Sequence, residues 1–66
     1  MKEDRDLAAI RSKELLTLEE FGLLFGVSAR SISREVAAGR IRTVKVRRLR
    51  RIPNSQIEQY RRLLER

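Results

Sequence analysis

Apolar positions along this chain follow two different periods, and the change between them falls at Gly39. Leu18, Phe21, Leu24 and Phe25 recur at helical spacing, with Thr17 and Glu20 forming a capping box ahead of them. A helix is therefore predicted from near Leu18 to near Phe25, where Gly26 offers the left-handed backbone of a sharp exit. Ser28 is placed to cap a second helix through Ala38, with Ile32 and Val36 on one face and Arg30, Ser31, Ser33, Arg34 and Ala37 over the remainder. Past Gly39 the period drops to two: Ile41, Thr43 and Lys45 alternate with Arg42, Val44 and Val46, which predicts a strand. A second strand over Leu49 to Ile52 pairs with it through a turn at Arg47 and Arg48, and Pro53 ends it where no further ladder donor is needed. Ser55 and Glu58 make another capping box, and Ile57, Tyr60, Leu63 and Leu64 give a C-terminal amphipathic helix.

Residues 1–14 carry both signs of charge around Leu7, Ala8 and Ile10. Asp4 and Asp6 precede Arg11 and Lys13, the order a helix macrodipole favours. A short helix and a terminus that orders only against a neighbour fit this segment equally well. The predicted organisation is thus a charged segment, 1–14, followed by one domain, 15–66. The expected core is Leu18, Phe21, Leu24, Phe25, Ile32, Val36, Ile41, Val44, Ile57, Tyr60 and Leu63.

Helix, tight turn, helix, hairpin, helix is the order of a small winged helix-turn-helix. The fold class is mainly α with a two-stranded β-hairpin. In that arrangement the first helix braces the second, the second offers its outer face to a major groove about 12 Å wide, and the hairpin lies alongside as a wing.

At 66 residues the chain buries too little surface to enclose a substrate pocket, which disfavours an enzyme. With neither cysteine nor histidine, disulfides and the common zinc sites are excluded, and no metal or cofactor is expected. No catalytic residues are assigned: Glu19 and Glu20 are adjacent and do not face one another on a helix, and the serines have no base to activate them. With no disulfide requirement and no apolar run of membrane-spanning length, the cytoplasm is the expected location, with no membrane partner.

Charge changes the picture more than size does. The formal net charge is +7, and it is unevenly placed: residues 1–20 hold four basic and six acidic side chains, residues 21–66 twelve and three. Seven basic residues and no acid lie between Arg40 and Arg51, namely Arg40, Arg42, Lys45, Arg47, Arg48, Arg50 and Arg51. Such density needs counter-charge from a polyanion, and double-stranded DNA fits it best. Arg30 and Arg34 stand one turn apart, a spacing that lets one guanidinium reach a guanine edge while the other takes a base or phosphate. Ser28, Ser31 and Ser33 are short enough to bond backbone or base. The candidate DNA contacts are therefore Ser28, Arg30, Ser31, Ser33 and Arg34 from the second helix, and Lys45, Arg47, Arg48 and Arg50 from the wing. Strand alternation leaves Arg42 and Arg51 for structure or for a neighbour.

Across residues 15–64, Leu18-Glu19-Glu20, Gly26-Val27-Ser28, Gly39 with Ile41, and Arg51-Ile52-Pro53 resemble the excisionases, recombination directionality factors whose winged helix-turn-helix is related to the MerR-type head. The resemblance implies a non-catalytic protein that binds attachment-site DNA sequence-specifically, bends it and directs a phage integrase towards excision. The family has glycine at the wing turn and an aromatic soon after. Here Arg47 and Arg48 occupy the turn and Arg50 the aromatic position, which predicts a wider or mobile loop that orders on phosphate. Glu35 stands where the family has an apolar residue, and it is expected to turn towards Arg34, Arg40 or a neighbouring subunit. The opposed charges of the two ends suggest head-to-tail self-association along repeated sites. Two other readings use the same charge: a small phage or plasmid transcriptional regulator of this fold, and a cationic module for RNA or an anionic membrane surface. The membrane version lacks a lipid-sized apolar helix face, and the RNA version lacks stacking aromatics on a sheet.

Overall fold

The capping box at Thr17 is complete in a computed structural model, which describes residues 6–65. Thr17 Oγ1 accepts from the Glu20 amide and Glu20 Oε1 accepts from the Thr17 amide, both at 3.0 Å. Among the described residues the helix they open is one of four, in the order α1 (Leu7–Arg11), β1 (Leu15–Leu16), α2 (Leu18–Phe25), α3 (Ala29–Ala37), β2 (Val44–Val46), β3 (Leu49–Pro53) and α4 (Ser55–Leu64). This is a small winged helix-turn-helix.

Helices α2 and α3 end in the same way. The Gly26 amide donates to the Leu23 carbonyl and the Val27 amide to that of Gly22; thirteen residues further on, Gly39 donates to Val36 and Arg40 to Glu35. These crossed bonds are Schellman closures, and each has a glycine at positive φ, 73° and 83°. The first closure folds the turn back onto α2 so closely that a Cβ on Gly22 would lie 2.5 Å from the Val27 carbonyl oxygen. Gly22 is there for close approach.

The sheet has three strands, β1-β3-β2, rather than the expected two. Leu15 and Leu16 pair antiparallel with Pro53 and Ile52. In the wing, Val44 pairs with Arg51, Lys45 with Arg50, and Val46 with Leu49. Strand β2 starts at Val44 and not at Ile41: Ile41 is buried, and the Arg42 amide donates to Gln56 Oε1 instead of to a strand. The wing turn is also tighter than expected. Arg47 and Arg48 form a two-residue turn closed by the Val46–Leu49 pair, and Arg47 takes a φ of 64°, the left-handed backbone that favours glycine.

Ile10, Leu16, Phe21, Ile32, Ile41, Ile52 and Tyr60 form the core. Leu18, Leu24, Phe25, Val36 and Ile57 pack against it half-buried, whereas Val44 and Leu63, expected inside, are 40% and 39% exposed. The register explains Val44: cross-strand partners share a face, and Arg51 lies opposite. Phe21, Phe25 and Tyr60 make an aromatic triangle with centroids 5.0 to 5.8 Å apart.

Residues 7–16 are tied to the rest. Asp6 caps α1 through the amides of Ala8 and Ala9, Ile10 enters the core, and Lys13 pairs with Glu20. Asp4 lies outside the described residues. The Ser55–Glu58 capping box does not form. Residue Asn54 precedes α4, and its side chain makes no cap. Its Nδ2 donates to the carbonyls of Arg11 and Lys13, and its amide to that of Glu14. Glu58 turns instead to Arg61 and Arg62. Among the described residues no helix is long and apolar enough to cross a membrane.

Candidate nucleic-acid interface

Helix α3 buries Ile32 and half-buries Val36 against the core, which leaves Arg30, Ser33 and Arg34 exposed at i, i+3 and i+4 on the other side. Ser28 and Ser31 form a pair of their own. Ser28 Oγ accepts from the Ser31 amide at 3.1 Å and lies 3.3 Å from Ser31 Oγ. Their first task is to satisfy the amides at the start of the helix. The five candidate residues thus divide into an exposed trio and a capping pair, and the half-buried Ser31 is the least accessible of them.

The far end of α3 is held by Glu35. Its Oε1 accepts from Tyr60 Oη at 3.0 Å and faces Arg40 Nε at 3.5 Å. Of the three partners expected for it, Glu35 takes Arg40. Burial, and then the Glu35 carboxylate, raise the Tyr60 phenol above its usual 10.0. Behind α3 the buried Gln56 accepts from the Arg42 amide at 2.9 Å and donates to Gln59. These ties fix α3 and the loop after it to α4. Sequence reasoning read Tyr60 as packing only and missed Gln56, since both partners are distant in the chain.

In the wing, alternation and register sort the cations. Lys45 and Arg50 are cross-strand partners on the face that carries Ile52 inward, while Arg51 shares the opposite face with Val44, Val46 and Leu49. Arg47 and Arg48 are exposed at the tip. Arg51 Nη1 donates to the Arg50 carbonyl at 3.0 Å, in keeping with a structural share for that residue. Like charges directly opposed on a hairpin destabilise it, and Lys45 faces Arg50 in this way. Among the described residues, Arg30, Arg34, Lys45, Arg47, Arg48 and Arg50 have no acidic partner, the ion pairs lying instead at Lys13–Glu20, Arg40–Glu35 and along α4.

A family model described as "Helix-turn-helix domain" matches residues 15–62. The chain belongs to that family. No curated protein and no solved structure matches it. The matched segment runs from β1 into α4 and so takes in α2, the turn, α3 and the wing. A helix-turn-helix domain supports DNA as the partner. The capping and core residues of the motif are internal to it, and among the described residues the cations of α3 and the wing tip are its exposed charges without an acidic partner.

Proposed function

We propose that this helix-turn-helix domain is a sequence-specific DNA-binding and DNA-bending accessory protein of phage site-specific recombination, an excisionase acting with an integrase. The observation that carries the reading is the set of cations on α3 and the wing that have no acidic partner among the described residues. In this account Arg30 and Arg34 reach base edges in the major groove, with Ser33 beside them and the Ser28–Ser31 cap near the backbone. Lys45, Arg47, Arg48 and Arg50 take phosphates or the minor groove. If about five phosphates are neutralised, log affinity falls with log salt at a slope near −4.5, roughly 500-fold between 50 and 200 mM.

Chemistry is absent from the role; deformation is its work. Bending a 20–30 bp site costs on the order of 1–6 kcal/mol, and a single module burying about 600–1,000 Å² has little surplus to offset it. Copies bound head to tail along repeated sites supply the remainder, with the acidic first third of one chain meeting the basic remainder of the next. The test is an integrase reaction on attachment-site DNA with the domain added. A shift from insertion to excision, with a footprint over repeated sites and a bend by gel mobility, is expected. Unchanged direction with tight operator-like binding would make the domain a transcriptional regulator of the same fold instead.

A further inference from the structure

The outer face of the sheet is apolar where it meets the cationic tip. Leu15 pairs with Pro53, and Val44, Val46 and Leu49 stand on the same side of the sheet through the register of β2 and β3. Val44, Val46 and Leu49 are 40%, 42% and 56% exposed. Among the described residues this side stays exposed, whereas Leu16 and Ile52, which point the other way, enter the core. Arg47 and Arg48 adjoin the strip at the turn, and Arg51 stands within it. An apolar protein surface would have to accept these arginines together with the valines and leucine. A sugar–phosphate strand offers both requirements side by side, deoxyribose carbon between phosphates.

We propose that Val46 and Leu49, supported by Val44, pack against the deoxyribose walls of the minor groove while Arg47 and Arg48 hold the flanking phosphates. This rests on the DNA-binding reading above and adds to it a second, uncharged contribution from the wing. Apolar side chains at minor-groove steps also favour kinked duplexes, so the same contact couples wing binding to bending. It accounts for an otherwise unfavourable choice, three large aliphatic side chains left in water on a hairpin whose other face is charged.

The experiment is a titration of fluorescent duplex with the wild-type domain, Leu49→Ser and Arg48→Ala across a salt series. It is repeated with a minor-groove-binding polyamide and with phosphatidylserine vesicles in place of the duplex. Leu49→Ser is expected to lose roughly ten-fold in duplex affinity with the salt slope unchanged, as for a lost aliphatic contact. Arg48→Ala should flatten the slope by about one unit. The polyamide should weaken the wild type and abolish the difference between it and Leu49→Ser. Leu49 is more than half exposed, and a matched thermal melt verifies that the variant is folded; the polyamide arm on the wild type tests the contact without any substitution. Equal duplex affinities for wild type and Leu49→Ser, or a Leu49 dependence confined to vesicles, would overturn the proposal while leaving DNA binding in place. A wild type without duplex affinity would overturn the DNA reading as well.

Discussion

Between Thr17 and Arg40 the caps, helix ends and core positions are satisfied within the chain, and of the cations there only Arg30 and Arg34 stand unpaired among the described residues; between Lys45 and Arg51 the backbone and the charges are both left under strain. In the first region Thr17 and Ser28 cap their helices, two crossed closures finish them, Phe21 and Ile32 are wholly buried, and Glu35 finds both Tyr60 and Arg40. In the wing one like-charged pair faces across the strands, a non-glycine residue holds positive φ, and all three β2 residues are exposed. The first region has the features of a scaffold, and the second is the part to which the proposal assigns a partner. Substitutions should divide accordingly, with stability lost at the capping and core positions of the first region and binding lost at the exposed cations of α3 and the wing.

The largest separation is expected between Phe21→Ala and Arg48→Ala. Loss of a fully buried phenylalanine costs about 3–5 kcal/mol, whereas an exposed tip arginine leaves stability within about 0.5 kcal/mol. Urea denaturation compares them directly, and similar midpoints would erase the distinction. Gly22→Ala is sharper for its sign. In an ordinary helix interior alanine is better than glycine by about 1 kcal/mol, yet here the added carbon meets the Val27 carbonyl, so the variant should be less stable than wild type. A gain in melting temperature would show that the turn does not press on α2.

Tyr60→Phe should cost about 1 kcal/mol through its hydrogen bond to Glu35. Because the folded phenol titrates above its usual 10.0, its contribution is complete below the unfolded value and is lost as pH rises through the folded one. The variant should therefore lack the part of the alkaline destabilisation that arises from Tyr60, measurable as melting temperature against pH from 8 towards 11. The smallest effect is expected at Arg47→Gly. Relief of the left-handed backbone stabilises the wing by up to about 1 kcal/mol, while one cation is removed from the binding surface. Higher stability with weaker duplex binding is the outcome that fits; lower stability would contradict the backbone strain at Arg47.

What the sequence made legible was local. Thr17 with Glu20, Ser28 with Ser31, and the glycines after α2 and α3 act on neighbours within a few residues, and each was readable from spacing. The face of Val44 depended on its register with Arg51, and alternation alone does not choose a register. The tie made by Asn54 could not be read from spacing because its carbonyl partners, Arg11 and Lys13, lie some forty positions earlier. The strand Leu15–Leu16 is two residues long, too short to show a period. The candidate contacts on α3 and the wing were legible as charge, but their division into two wing faces was not.

The central claim is that α3 reads sequence while the wing grips backbone. The most direct measurement is the affinity of wild type, Arg34→Ala and Arg48→Ala for a footprinted site and for a scrambled duplex, each over a range of salt. Arg34→Ala should lose about 1–3 kcal/mol on the site alone, and Arg48→Ala should weaken both duplexes alike and reduce the salt slope by about one unit. The reverse assignment, or equal losses on both duplexes for Arg34→Ala with no change of slope for Arg48→Ala, would contradict it.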